Sequence, residues 1–200
     1  MDNLQRFLRT RRSIRLFKSD PIPAAIIQCI LETALFAPSA HNSQPWRFCV
    51  VKDSSQKTHL AESMAAEFRR DLEKDGRPEP EIIAQLDRSR QRIIEAPLLV
   101  ILCADIACMD EYPDSKRQRA ESIMVLQSTA LAGLQLLLAA HAEGLGGVWT
   151  CGPLFTPKTV RSALSLPKSW KPQAMFFLGY PAESPALPER KSLDEVILYR

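Results

Sequence analysis

Cysteine and histidine are both scarce in the 200-residue sequence. Its five cysteines, an odd number, are scattered without a C-x-x-C pair, and its three histidines do not cluster. Disulfide frameworks and zinc sites are built from closely spaced residues of these two types. The pattern therefore argues against a disulfide-stabilised secreted scaffold and against a metal site, and it favours the reducing cytoplasm.

A strong charge imbalance and a long apolar run are also missing. The 26 cations and 23 acids give a formal net charge of +3, which is too nearly balanced for a nucleic-acid binder driven by its overall field. The longest apolar run, residues 130–140, contains Gln135 and is shorter than the ~20 residues of a membrane span. The basic N-terminal stretch precedes an amphipathic pattern instead of the apolar segment of a leader peptide. We expect a soluble cytoplasmic protein that binds neither nucleic acid nor membrane.

Apolar periodicity predicts one α+β domain over residues 1–200, with long helices covering a mixed sheet. Helices are predicted at residues 23–36, 56–73, about 80–95, and in the apolar stretch that follows a polar insertion at 109–119 and ends at Gly144. Strands are predicted at residues 48–52, 97–105 and 175–181, with EVILYR at the C-terminal end as a further candidate.

The stretch that follows Arg6 is rich in cations. Six arginines and lysines occur between Arg6 and Lys18, with no acid among them. Forked guanidinium donors and a hydroxyl suit a phosphate monoester with a polyol tail. The residues that combine these groups are Arg11, Arg12, Ser13 and Arg15. The alternative is a solvated charge run.

Two further segments have polar or glycine-rich composition. The loop APSAHNSQPW, residues 37–46, offers short amides and hydroxyls for a polar heterocycle above Trp46, or else forms a capped turn. The run GLGG, residues 144–147, lacks the G-x-G-x-x-G spacing and follows a predicted helix, so it is not a dinucleotide fingerprint. Cys151 lies ten residues from His141, but no motif orients them as a catalytic pair, and no triad is recognisable.

Four motifs occur in an order and spacing that resemble one family over nearly the whole chain. They are RRSIR, APSAHNSQPWRF, GLGGVWTCGPLF, and LGYP followed by PERKSLDEV. Together they resemble the FMN-dependent nitroreductase family. The resemblance implies a three-layer α/β/α sandwich with a mixed, mostly antiparallel sheet, and an intertwined homodimer with FMN at the subunit interface.

The same resemblance assigns residues to FMN. The phosphate and ribityl tail would contact Arg11, Arg12, Ser13 and Arg15, with Arg190 and Lys191 completing the phosphate site. The other subunit would reach the flavin through Pro38, Ser39, Ala40, Asn42 and Gln44. The N5 and O4 edge would lie beside Thr150, Cys151 and Gly152, mainly beside their backbone. Family members often carry another residue at Cys151, so the role of this side chain stays open.

The implied reaction is a ping-pong transfer of reducing equivalents from NAD(P)H through FMN to a small aromatic or conjugated acceptor. The flavin supplies the redox chemistry, so no catalytic triad is required. A closer resemblance is to the nitroreductase-type domain fused to the glutamate ligase of deazaflavin coenzyme synthesis, which reduces a dehydro precursor. A flavin-binding or storage protein without turnover is a third hypothesis.

Residues 68–95 are predicted to form a lid over the site. The stretch KDGRPEPE within it contains one glycine and two prolines, and charged helical patterns flank it on both sides. Segments with few core contacts commonly close active sites. Three of its cations, Arg69, Arg70 and Lys74, would attract an anionic acceptor, unless they only cover a solvated helix face.

Overall fold

The computed structural model describes residues 3–200, which fold into an α+β domain. The helices are α1 (Asn3–Thr10), α2 (Ala24–Ala34), α3 (Ser54–Lys74), α4 (Glu79–Glu95), α5 (Ser115–Ala142), α6 (Gly152–Phe155) and α7 (Pro157–Ala163). The strands are β1 (Trp46–Val51), β2 (Leu98–Asp105), β3 (Gly146–Thr150) and β4 (Trp170–Gly179). The predicted helices and the three internal strands predicted are present, with ends shifted by a few residues.

The four strands form one sheet in the order β1-β2-β4-β3, and each neighbouring pair is antiparallel. Every residue of β2 is buried, as expected for a continuous apolar run in an interior strand. A parallel bridge between Ser13 and Gly147 adds the N-terminal segment beside β3. The predicted mixed, mostly antiparallel sheet is confirmed.

Helices cover both faces of the sheet. On one face, α2 and α5 pack against side chains that include Leu102 and Phe176. On the other face, α3 and α7 pack against side chains that include Ile101 and Phe177. The predicted three-layer α/β/α sandwich is therefore confirmed.

The helix α5 has the length and hydropathy of a membrane span. Half of its most apolar stretch, however, is buried inside the protein, as in a core helix. At Gly133 an added Cβ would lie 2.3 Å from Cζ3 of Trp149, so only glycine lets the helix approach the sheet this closely. The helix packs against α2 on one side and against β2 and β3 on another.

The segment predicted as a lid is a helical hairpin. α3 continues to Lys74, and α4 already begins at Glu79, so the connection is shorter than the interrupted stretch KDGRPEPE suggests. Gly76 makes the turn with φ of +68°, and Pro80 is accommodated in the first turn of α4. The two helices share a small apolar cluster made by Ala65, Leu72, Ile82 and Leu86. That the hairpin acts as a lid stays a prediction.

Three details of the predicted elements are wrong. The insertion 109–119 is partly helical, because α5 begins at Ser115, where the Asp114 carboxylate accepts a hydrogen bond from the Arg117 backbone N–H. β3 was not predicted, because its two glycines hide the apolar pattern. EVILYR forms no strand in the single chain: residues 193–195 make a 3-10 turn, and residues 196–200 are exposed and irregular.

Candidate cofactor site

The N-terminal segment, the glycine run and the end of β4 meet at one edge of the sheet. The Ile14 backbone N–H donates to the Gly147 carbonyl at 3.1 Å, and the Lys18 N–H donates to the Tyr180 carbonyl at 2.9 Å. Gly146 leaves room for Ile14, whose side chain would lie 2.7 Å from an added Cβ. Three of the four sequence motifs are thereby brought together beside β3.

The arginines of the first motif are not neutralised. Arg11 and Arg12 are half-buried and donate to backbone carbonyls, including those of Arg12 and Arg9. Neither these two nor Arg15 forms an ion pair within residues 3–200. Burial, with Arg12 and Arg190 nearby, lowers the pKa of Arg11. Crowded cations of this kind are typical of an anion-binding site.

The C-terminal basic pair is only partly in place. Arg190 lines a surface groove of about 730 Å³ together with Arg11 and Arg12. Lys191 is exposed and does not line this groove. The structure thus brings one residue of the pair to the cationic cluster.

Two adjoining cavities of about 300 Å³ each lie between β3, β4 and α4. Both are lined by Thr150 and Phe177, and their apolar floor continues over Val148 and Met175. Arg15 reaches the first cavity, and Gly152 lines the second. An apolar floor with a few polar groups at its rim suits a flat, polar-edged ring system.

Arg88 and Arg92 of α4 line both cavities, and sequence reasoning missed them. Their spacing of four residues places them on one face of the helix, which was the available signal. Neither forms an ion pair within residues 3–200, although Glu95 lines the first cavity as well. Arg90, between them, instead pairs with Glu62 at 3.0 Å. The cavities therefore carry excess positive charge.

The cations predicted to attract an acceptor are placed differently. Arg69 donates to Glu79 at 2.9 Å and to Glu73 at 3.2 Å, so its charge is neutralised. Arg70 donates to the Ala66 carbonyl of its own helix at 3.3 Å. Neither arginine lines the two cavities, where Arg88 and Arg92 stand instead.

Two residues at the C-terminal end of β3 and just after it line the second cavity. The Thr150 hydroxyl donates to the Met175 carbonyl at 3.1 Å, which holds the end of β3 to β4. Cys151 is exposed and accepts a hydrogen bond from Nε1 of Trp149 at 3.1 Å. At Gly152 an added Cβ would lie 3.1 Å from Cε of Met175. Thr150 and Gly152 thus line the cavity, whereas Cys151 does not.

The loop that contains Pro38, Ser39, Ala40, Asn42 and Gln44 is tightly structured. Asn42 and Gln44 have positive φ angles of 53° and 46°, which are strained for residues other than glycine. The Ser39 hydroxyl accepts from the Gln44 N–H at 3.1 Å, and the Ser128 hydroxyl of α5 accepts from the Ala40 N–H at 3.1 Å. These bonds hold the loop in one conformation.

This loop does not meet the cationic cluster within one chain. It precedes β1, which is the edge strand opposite β3 in the order β1-β2-β4-β3. Three strand spacings, about 14 Å, separate the two edges. None of its five candidate residues lines the cavities beside β3.

Comparison with known proteins gives one family. The family model described as Nitroreductase family matches residues 8–180. The NADH dehydrogenase of Thermus thermophilus is 33% identical over 214 residues, covering 95% of this chain and 92% of that protein. A Desulfovibrio desulfuricans protein solved in complex with FMN superposes with a TM-score of 0.76 at 24% identity, covering 100% of this chain and 98% of the other. The NADPH:FMN oxidoreductase of Vibrio harveyi, solved with NAD+, superposes with a TM-score of 0.74 at 20% identity, covering 99% and 77%. The chain therefore belongs to the nitroreductase family.

Proposed function

We propose that this chain is an FMN-dependent NAD(P)H oxidoreductase that works as a homodimer. The observation that carries the proposal is the cluster of Arg11, Arg12 and Arg190 without carboxylate partners in residues 3–200, formed in part by the same N-terminal segment whose Arg15 lines a cavity of about 300 Å³ at β3. The donor set fits the cofactor, because forked guanidinium groups suit a phosphate and the apolar floor suits a flat ring. The similarity to a T. thermophilus NADH dehydrogenase supports a nicotinamide as the electron donor.

The tail of FMN would be held by the N-terminal segment. Arg11, Arg12 and Ser13 would bind the phosphate and the polyol chain, and Arg190 and Lys191 would complete the site. A hydrogen bond from a charged donor contributes about 1.5–3 kcal/mol. Anion binding would also relieve the repulsion between neighbouring guanidinium groups.

The ring end of FMN would occupy the cavities beside β3, with Thr150, Cys151 and Gly152 along its edge. When bound, FMN would accept a hydride from NAD(P)H and pass reducing equivalents to the acceptor. Arg15, Arg88 and Arg92 bring positive charge into this space, which favours the reduced cofactor when it carries a negative charge. No side chain has to act as a general acid or base.

Exposed apolar surface supports the homodimer. The outer face of α5 exposes Ile123 and Leu134 to 46% and 48%, and residues 184–200 form an exposed arm with Leu198 at 74%. Large exposed apolar patches are uncommon on monomeric proteins. A second copy of the chain would bury it.

The free edge of β1 offers a place for the partner's arm. Among residues 3–200, β1 pairs only with β2, so its other side presents unpaired backbone groups. Beside it lies an apolar groove of about 620 Å³, lined by residues that include Leu31, Phe48 and Trp170. In the same dimer, residues Pro38, Ser39, Ala40, Asn42 and Gln44 would reach the partner's flavin, which they cannot do within their own chain.

The spectrum of the purified protein tests the proposal most directly. A yellow dimer that releases FMN, identified by mass, and that is bleached anaerobically by NADH or NADPH is the expected result. FAD, or a stable monomer that retains FMN, contradicts it. A flavin that stays oxidised with both nicotinamides indicates a storage protein instead. Parallel double-reciprocal plots with a quinone or nitroaromatic acceptor are expected for a ping-pong reaction.

A further inference from the structure

His141 lies in the last turn of α5, beside the arginines that would bind the phosphate. Its Nε2 is 3.4 Å from Oγ1 of Thr10, and its ring stacks on Phe7 with centroids 4.9 Å apart. Together with Arg11 and Arg12, it lines a cavity of about 390 Å³ under the N-terminal segment. An imidazole and two guanidinium groups thus share one small space.

The cations near His141 come from two segments. Arg11 and Arg12 face it from the stretch after α1, and Arg190 of the C-terminal arm lies next to Arg11. None of these arginines forms an ion pair in the described part of the chain. The neighbours contributed by α1 itself, Phe7 and Thr10, are uncharged.

Two acids lie close by, and both are engaged elsewhere. Glu183 lines the same cavity, but its Oε1 accepts from the backbone N–H groups of Arg15 and Leu16 at 2.6 and 3.2 Å. Glu143, which follows α5, accepts from the thiol of Cys29 on α2 at 3.7 Å. Neither carboxylate bonds to His141, so positive charge dominates around the imidazole.

This environment favours the neutral form of the imidazole in the free protein. Partial burial, with Arg11 and Arg12 nearby, lowers the pKa of His141, and a hydrogen bond with the Phe7 carbonyl opposes the shift. An anion beside Arg11 and Arg12 would offset their field and add a negative partner. Both changes raise the pKa of a neighbouring imidazole.

We propose that His141 is a further ligand of the cofactor's phosphate and that it binds the phosphate in its protonated form. The proposal rests on the proposed function, because it takes the anion to be the phosphate of FMN. The imidazole gains a proton when FMN binds. The pKa of His141 is therefore higher in the FMN complex than in the free protein. As the pH falls, His141 begins to add affinity for FMN near its pKa in the complex. Its contribution is complete below its pKa in the free protein.

The FMN phosphate itself titrates near pH 6, which weakens binding as pH falls and opposes the effect of His141. The contribution of His141 is isolated by dividing the FMN dissociation constant of His141→Gln by that of the wild-type protein at each pH. Protonation of the phosphate affects both proteins equally and cancels in this ratio. FMN is titrated into flavin-depleted dimer between about pH 5.5 and pH 8.5, a range that includes the ordinary pKa of histidine. His59→Gln, an exposed histidine on α3, is the matched control.

We expect the ratio to be near one at high pH and to rise about tenfold at low pH, if the pKa moves by about one unit. Riboflavin, which lacks the phosphate, should give a ratio near one throughout, and so should the control variant with FMN. In 13C NMR of histidine-labelled protein, which has only three histidines, the pKa of His141 should rise when FMN binds. A ratio that does not change with pH, the same change with riboflavin, or an unchanged pKa overturns the role of His141. A flavin-depleted dimer that binds no FMN at all overturns the proposed function together with it.

Discussion

Replacing Arg11 with alanine should weaken FMN binding without destabilising the flavin-free protein. Arg11 is half-buried, lies near Arg12 and Arg190, and has no carboxylate partner in residues 3–200. If it donates to the FMN phosphate, its loss removes about 1.5–3 kcal/mol, a roughly 10- to 150-fold rise in Kd. Removing one of several like charges should leave the flavin-free protein as stable as before, or up to about 0.5 kcal/mol more stable.

Two measurements check this prediction. Fluorescence titration gives the Kd for FMN, and thermal unfolding with and without FMN gives the stability difference. Each tenfold loss of affinity should lower the Tm of the FMN-saturated protein by about 3–6 °C at fixed ligand concentration. Arg70→Ala is the matched control, because Arg70 is exposed on α3 and lines neither cavity.

Equal FMN affinities of Arg11→Ala and Arg70→Ala would refute this role of Arg11. So would a flavin-free Arg11→Ala protein that loses as much Tm as the FMN-saturated form, because Arg11 would then be a structural residue. Equal affinity would leave the arginine-rich segment as a solvated charge run.

Deleting residues 184–200 should abolish both the dimer and FMN binding, because the exposed apolar arm and Arg190 are lost together. Analytical ultracentrifugation tests this, and a truncated protein that still sediments as a dimer with bound FMN would contradict it. Arg88→Gln combined with Arg92→Gln should lower the flavin reduction potential, because positive charge next to the reduced ring is removed, whereas Arg90→Gln should not. Spectroelectrochemistry compares wild type, the double variant and Arg90→Gln, and equal potentials would exclude a role of Arg88 and Arg92 in setting the potential. Gly133→Ala should destabilise the fold by about 1–3 kcal/mol, since its Cβ would lie 2.3 Å from Trp149, and unchanged denaturant unfolding would disprove this close approach.

Local signals in the sequence determined most of the regular structure. The apolar run of β2 is buried along its whole length, as its composition predicts for a central strand. Gly144, with φ of +74°, ends α5 as expected of a glycine after a helix. Helices and strands could be predicted because periodicity and turn residues act over a few neighbouring positions. The three-layer arrangement and the family followed from those elements and from the order of the four motifs.

Only the tertiary structure decided which arginines among residues 3–200 are left without a carboxylate partner and can bind an anion. In the sequence, Arg69 and Arg92 are alike, yet Arg69 folds onto Glu73 and Glu79 while Arg92 lines the cavities. His141 likewise meets Arg11 only because the N-terminal segment crosses beside β3. Neutralisation depends on partners that are distant along the chain, and local patterns contain no information about them.

Local sequence patterns also do not predict the strand order, which decides where the loop before β1 lies relative to the cationic cluster. β3 is an edge strand because β4 lies between β2 and β3, and Ile14 packs over Gly146 beside it. The loop before β1 therefore lies at the opposite edge from the cationic cluster. The sequence by itself determined the motifs and the layers. Strand pairing between segments that are distant along the chain decided that two of those motifs lie at opposite edges of one sheet.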